Sequence, residues 1–176
     1  MATAFKPHEG NTRILRDAFS KFVSGVTVVT TASEEGPVGI TANSFSSLSL
    51  DPALVLWSPY TGSRRFPFFE NAQYFAIHIL SADQEYLCYD FAKSPFGLDN
   101  TEVSFNTKNV PLIKNCHARF ECRKRAIYTG GDHVIVVGEV ESVQMREGNA
   151  LLYIDGKFRS LATCCLLYSS PSPRDV

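Results

Sequence analysis

The chain has 176 residues, with 17 lysines and arginines against 18 aspartates and glutamates, and a formal net charge of −1. This length is typical of one domain, which buries about 70% of the surface of its unfolded chain and folds without a metal or disulfide framework. The balanced charge gives no general attraction for nucleic acid or an anionic membrane. The longest apolar stretches, 75–80 and 134–137, are too short to span a membrane. We therefore expect no nucleic-acid partner and no membrane partner.

The five cysteines are an odd number and form no CxxC pair. Because the start of the chain has no signal-peptide pattern, this usage favours reduced thiols and a cytoplasmic location. Cys116 and His117 are adjacent, but a zinc site needs about four ligands at characteristic spacings, and the histidines are scattered. We expect no metal site. Cys122 alternates with Phe120 in a predicted strand, which indicates a small buried residue.

The first half of the chain predicts alternating helices and strands. Apolar residues recur at helical spacing over 14–23, and Gly25 follows them, which predicts a helix that begins near residue 12. A β-branched run at 26–31, turn residues at 34–37 and a second run at 38–43 predict a hairpin. The remaining expected elements are strands at 54–57 and 74–80 and helices at 63–71 and 82–92.

The second half predicts mostly strands. Residues 96–114 show little periodicity and are expected to form a long irregular excursion. Strands are predicted at 118–128, 133–145, 151–154 and 157–161. Six or seven strands, mostly connected by hairpins, with three short helices predict a mainly β fold. Its expected form is a closed antiparallel barrel with peripheral helices.

Three segments are candidates for chemistry, and each has a plainer interpretation. The small polar residues of 41–49 offer donors to a flat polar ligand, although composition favours an ordinary serine-rich connection. Residues 58–65 lead into a helix N-terminus that could hold a phosphate, or could be a serine cap followed by solvated arginines. His133 follows Gly130-Gly131-Asp132, and could contact a ring-shaped substrate or cap a turn.

Two further observations limit the chemistry. His78 lies inside an apolar run and is expected to be a core residue with its hydrogen bonds satisfied. The chain shows no Ser-His-Asp spacing and no paired carboxylates, so hydrolytic chemistry has little support.

Several motifs occur in an order that resembles the short-chain NAD(P)H:flavin oxidoreductase family, across about residues 12–161. The matching runs are Phe22-Val23-Ser24-Gly25-Val26-Thr27-Val28-Val29-Thr30, Gly39-Ile40-Thr41-Ala42-Asn43-Ser44-Phe45, Ala118-Arg119-Phe120-Glu121-Cys122 and Gly131-Asp132-His133. The resemblance implies an FMN-binding split β-barrel, antiparallel and of Greek-key type with short peripheral helices, usually as a homodimer. It also implies reduction of FMN or FAD by NADH or NADPH, with hydride transfer to flavin N5. Such proteins often supply reduced flavin to a separate monooxygenase.

The resemblance also implies roles for individual residues. It assigns the isoalloxazine and ribityl chain to Thr41, Ala42, Asn43, Ser44 and Ser47, and the phosphate to Ser58 and Ser63 with Arg64 or Arg65. Asp132 and His133 fall where nicotinamide is expected to stack over the flavin. Tyr89 and Asp90 stand where many relatives have a basic residue, which leaves Lys93 to compensate.

Alternatives remain open at this point. The barrel could hold its flavin tightly and pass electrons to a protein partner without using NAD(P)H, or it could bind flavin without catalysis. The end of the chain needs a separate interpretation, because residues 166–175 resemble a peptide encoded by read-through of a transposon-derived sequencing adapter. We therefore expect a flexible N-terminus at 1–11, one domain at 12–162 and a non-native or disordered tail at 163–176.

Overall fold

The computed structural model describes residues 4–96, 98 and 101–161. The helices are α1 (Thr12–Phe19), α2 (Phe66–Asn71) and α3 (Glu85–Lys93), with 3-10 turns at Glu9–Asn11 and Ala82–Gln84. The strands are β1 (Ser24–Gly25), β2 (Thr27–Ser33), β3 (Gly36–Ala42), β4 (Ser46–Leu50), β5 (Ala53–Trp57), β6 (Tyr74–Ile79), β7 (Val103–Phe105), β8 (Pro111–Ile113), β9 (Ala118–Gly130), β10 (His133–Met145), β11 (Leu151–Ile154) and β12 (Lys157–Ser160). The tail expected at 163–176 lies outside the described residues, and the domain boundaries stay a prediction.

Seven strands form one antiparallel sheet in the order β3-β2-β6-β9-β10-β5-β4. One buried cluster joins side chains of six of these strands: Val29, Val38, Val55, Trp57, Phe75, Ile77, Cys122, Val134 and Val136. Because β3 and β5 stand near opposite edges of the sheet yet meet in this cluster, the sheet curls around the core. The prediction of a mainly β, antiparallel fold with short helices is confirmed.

The long strands β9 and β10 form the hairpin that organises the sheet. Their pairing runs from Gly130 opposite His133 to Ala118 opposite Met145. At the tip, Gly131 has a φ of +76°, a backbone conformation that glycine adopts without strain. The hairpin therefore presents Asp132 and His133 at one end of the barrel.

The structure differs from the sequence prediction in several stretches. Helix α1 ends at Phe19, before the predicted end near Gly25, and α2 begins at Phe66 rather than at 63. The serine-rich segment after Ala42 contains β4, which pairs with β5 at the sheet edge, because backbone pairing outweighs the weak strand preference of serine. Residues 96–114, expected to be irregular, contain the paired strands β7 and β8. Each of these has three residues, too few to show a strand period in the sequence.

Helix α3 lies unusually close to strand β3. A Cβ added at Gly39 would lie 2.2 Å from Cε1 of Phe91, so only glycine allows this approach. The Gly39 amide also donates to the Pro95 carbonyl at 2.9 Å. The C-terminal end of α3 is therefore held against the outside of the barrel.

His78 and Cys122 are the core residues that the sequence predicted. His78 is fully buried; its Nδ1–H donates to the Val28 carbonyl at 3.0 Å, and its Nε2 accepts from the Ile113 amide at 3.1 Å. Burial lowers the pKa of His78 to about 3, and burial raises the pKa of the Cys122 thiol. Both side chains are therefore neutral.

Across the described residues, the structure has no helix with the length and apolar character needed to cross a membrane.

We expect His78 to make the folded protein less stable as the pH falls. The unfolded chain takes up a proton near the usual histidine pKa of 6.5, whereas the folded pKa is about 3, so protonation favours unfolding between these values. The free energy of unfolding then falls by about 1.4 kcal/mol per pH unit through this group. Urea unfolding of the wild type and of His78→Gln at about pH 7 and about pH 5 measures the difference.

His78→Gln has no imidazole at this position, so it should lose this part of the pH dependence. An NMR titration in which the His78 imidazole protonates with an ordinary histidine pKa would contradict the prediction.

Candidate functional site

Two neighbouring cavities open at the end of the barrel where the β9–β10 hairpin turns. The first, of about 240 Å³, is lined by Val26, Thr41, Ala42, Asn43, Tyr153 and Phe158. The second, of about 600 Å³, is lined by Thr12, Leu15, Arg16, Phe19, Ser20, Asn43, Asp132, His133 and Tyr153. Asn43 and Tyr153 belong to both walls. The structure therefore brings two of the three predicted segments, 41–49 and 130–133, to one place.

The first cavity combines a polar strand end with an aromatic wall. Tyr153 and Phe158 face each other across the β11–β12 hairpin, with ring centroids 5.5 Å apart. The Thr41 hydroxyl oxygen is buried and has no hydrogen-bond partner in the described part of the chain. An unpaired buried hydroxyl is costly, so a polar ring in this cavity would supply the partner. These residues fit a flavin ring.

The second cavity contains the histidine that the sequence singled out. Nδ1 of His133 lies 2.7 Å from Oδ1 of Asp132, and the hydrogen bond from His133 lowers the pKa of the Asp132 carboxyl. Since the ionised carboxylate only accepts, Nδ1 of His133 carries the hydrogen. The His133 ring also packs on Tyr60, with ring centroids 5.4 Å apart. The imidazole is thus oriented from two sides.

The segment 58–65 is fastened to the same hairpin tip. The amide and hydroxyl of Thr61 both donate to the Asp132 carbonyl, at 3.0 and 2.9 Å, and the Val134 amide donates to the Pro59 carbonyl at 3.2 Å. The Ser58 amide donates to the Ser44 hydroxyl at 2.9 Å, and that hydroxyl donates to the Ser58 carbonyl at 3.2 Å. Ser44 therefore connects the segment 58–65 to the segment 41–49.

The predicted phosphate residues lie on the turn that enters α2. Ser63 accepts from the Arg65 amide at 3.2 Å, which fixes the turn. Arg65 Nη2 donates to the Phe91 carbonyl near the end of α3, while its buried Nε has no partner among the described residues. Burial lowers the pKa of Arg65, and the neighbouring charge of Arg64 adds to this effect. Arg64 and Lys93 are exposed, so an anion in solvent can reach both side chains.

Some of the predicted residues stand apart, and some wall residues were missed. Ser47 is exposed on β4 and lines neither cavity. Ser58, Ser63, Arg64, Arg65 and Lys93 also lie outside both linings. Tyr153, Phe158 and Arg16 line the cavities, but no sequence pattern marked them as candidates. Their sequence neighbours show no motif; an aromatic residue beside the Asp155-Gly156 turn was the available signal for Tyr153.

Another cavity, of about 370 Å³, lies at the far end of β9 and β10 and includes the cations Lys114, Arg119 and Arg146. Each of them already has a protein partner: Glu102 at 3.5 Å, Glu121 at 3.3 Å and the Ser81 hydroxyl at 2.9 Å, respectively. These contacts indicate that the three cations stabilise the fold and need no bound anion. Within residues 4–96, 98 and 101–161, no group of three or more His, Cys, Asp or Glu could hold a metal ion.

Comparison with known proteins shows the family. The family model described as the flavin reductase like domain matches residues 19–162. The chain is 47% identical to the FMN reductase (NADH) SmoA of Agrobacterium fabrum, over 88% of both chains. It is 40% identical to the reductase component of the flavin-dependent trigonelline monooxygenase of Acinetobacter baylyi, over 83% of this chain, and spans 48% of that longer protein.

A solved structure agrees with the sequence relatives. The NADH:FAD oxidoreductase SgcE6 of Streptomyces globisporus, in complex with NAD and FAD fragments, superposes with a TM-score of 0.85 and 33% identity. The match covers 92% of this chain and 99% of that one. The predicted split-barrel fold and the predicted family are confirmed, and the chain belongs to the flavin reductase family.

Proposed function

We propose that this chain reduces FMN or FAD with NADH or NADPH and delivers the reduced flavin to a separate flavin-dependent monooxygenase. The observation that carries the proposal is the shared wall of the two cavities, formed by Asn43 and Tyr153. The two cavities adjoin at these residues, so ring systems bound in them would lie in direct contact, as hydride transfer requires. The names of the relatives, an NADH-dependent FMN reductase and a monooxygenase reductase component, support the same reaction.

The flavin ring is assigned to the smaller cavity. Thr41, Ala42 and Asn43 supply the polar strand end, and the unpaired Thr41 hydroxyl supports a hydrogen bond to the ring. Ser44 holds the Ser58 backbone at the end of β5. We assign the ribityl chain to the segment that includes Ser47 and the phosphate to Ser58, Ser63, Arg64, Arg65 and Lys93.

When bound, the nicotinamide and the flavin would supply the hydride chemistry, from C4 of one to N5 of the other. The protein orients them. Asp132 accepts the Nδ1–H of His133 and so fixes the plane of the imidazole, against which the nicotinamide would pack. Since a hydride transfer of this kind moves no proton through a side chain, no general base is assigned.

An anaerobic assay tests the reaction. The purified protein is mixed with NADH or NADPH and an excess of FMN or FAD, and absorbance is followed in the reduced-nicotinamide band and in the oxidised-flavin band. We expect both bands to fall together and in equal amounts. Absence of turnover with all four combinations would reject the proposal and leave a binding barrel or a carrier that is reduced by another protein.

We expect His133→Ala to impair the use of the hydride donor more than the binding of flavin. The variant loses one aromatic contact to nicotinamide, so KM for the donor should rise about three- to tenfold. The Kd of FMN, measured by fluorescence quenching, should stay within about twofold. His133→Phe keeps a ring at this position and should recover most of the loss. An unchanged rate at limiting donor would remove this role.

We also propose a cytoplasmic homodimer. Four large apolar side chains are strongly exposed in the single chain: Phe19, Phe22, Leu50 and Met145, at 69%, 79%, 96% and 80%. Exposed apolar surface of this kind favours association, and the buried free thiols Cys88, Cys116 and Cys122 suit a reducing compartment. Sedimentation equilibrium should give twice the chain mass, and a monomer at every concentration would contradict the dimer.

A further inference from the structure

Helix α1 presents one continuous face to the larger cavity. Thr12, Leu15, Arg16 and Phe19 of α1, with Ser20 after it, line this wall. Their spacing of three and four residues places them on one side of a helix. The opposite wall is formed by Asn43, Asp132, His133 and Tyr153. The space between α1 and the barrel is therefore built by residues distant in sequence.

Arg16 brings a positive charge to this space. The hydrogen bond from His133 is the main cause of the lowered pKa of the Asp132 carboxyl, and the charge of Arg16 is the smallest of the contributions. Asp132 is already bonded to His133 at 2.7 Å. Among the described residues, no carboxylate lies within ion-pair distance of the Arg16 guanidinium. The guanidinium is thus available to an anion bound near His133.

The position of Arg16 is fixed by the end of its helix. The Asp155 amide donates to the Ser20 carbonyl at 2.8 Å, and the Lys21 ammonium lies 2.5 Å from the Asp155 carboxylate. These two contacts attach the C-terminal end of α1 to the turn between β11 and β12. Since Tyr153 of β11 lines the same cavity, these contacts hold α1 at a fixed position relative to the opposite wall.

The proposed function does not yet assign a residue that binds the diphosphate of the nicotinamide dinucleotide. The flavin phosphate is assigned to the turn that enters α2, whereas the nicotinamide dinucleotide carries a diphosphate that must lie beyond the nicotinamide ring. A cavity of about 600 Å³ falls within the usual size of a small-molecule site. A guanidinium is the side chain best suited to grip phosphate oxygens in pairs.

We propose that Arg16 binds the diphosphate of the nicotinamide dinucleotide while its nicotinamide ring packs at His133. Helix α1 is then the element that determines affinity for the hydride donor, and the residues 41–43 are the element that determines affinity for flavin. This inference rests on the proposed function. The competing occupant is FAD, whose own diphosphate could reach the same guanidinium, and FMN lacks that group.

The test uses FMN as acceptor, so that the donor supplies the one diphosphate in the assay. Arg16→Ala should raise KM for the donor about tenfold and leave kcat within about twofold, because the lost contact lies away from the reacting atoms. Arg16→Lys keeps the charge without the paired donors and should give a smaller rise. Arg13→Ala is the matched control, since Arg13 lies on the same helix but does not line the cavity.

A binding experiment separates this subsite from catalysis. Adenosine diphosphate ribose carries the diphosphate without nicotinamide, and calorimetry should show binding to the wild type and to Arg13→Ala, with about tenfold weaker binding to Arg16→Ala. The Kd of FMN should be equal in all three proteins. If the wild type fails to oxidise any donor, the proposed function is lost, but the calorimetry still decides the subsite.

Two outcomes would overturn the inference. Equal losses of donor affinity in Arg13→Ala and Arg16→Ala would show a general charge effect of the helix. A weaker Kd for FAD in Arg16→Ala, with unchanged KM for the donor when FMN is the acceptor, would assign the guanidinium to the flavin diphosphate instead.

Discussion

The antiparallel pairing of β9 with β10 is the constraint on which the rest of the structure depends. Each strand has thirteen residues, and their outer neighbours are β6 and β5. One edge of this pair therefore leads through β6 and β2 to β3, and the other leads through β5 to β4. The hairpin tip lies beside the end of β5, so Asp132 can hold Thr61 and His133 can pack on Tyr60. The pairing of β9 with β10 therefore organises the barrel and also positions the candidate site.

The sequence predicted those features whose cause is local. The β-branched run before Ala32 and the apolar run after His133 are strands because adjacent residues share one preference. His78 could be identified as a core residue because apolar residues flank it on both sides. The candidate site was predicted through ordered motifs, and the structure brings Thr41, Asn43 and His133 to adjoining cavities.

The missed features depend on contacts between distant residues. The Ser44 hydroxyl bonds the Ser58 backbone across 14 positions of sequence, and no pattern in the serine-rich segment indicates this partner. Arg16 and Tyr153 reach the same cavity from opposite ends of the chain. The strands β7 and β8 are too short to show a period. In each case the geometry depends on tertiary packing, which the residues adjacent in sequence do not determine.

The common wall of the two cavities restricts how proteins of this kind could diverge. In the proposed assignment of flavin and hydride donor, Asn43 and Tyr153 border both spaces, so a substitution there would change the room for both ligands at once. Selection for a different electron acceptor would then alter the preference for the donor as a side effect. Independent tuning is left to positions that face one space alone, such as Thr41 on one side and Leu15 on the other. In the evolution of such a barrel, substitutions at Asn43 or Tyr153 would therefore change the preferences for acceptor and donor together. Substitutions at residues that line one cavity alone would change one preference at a time.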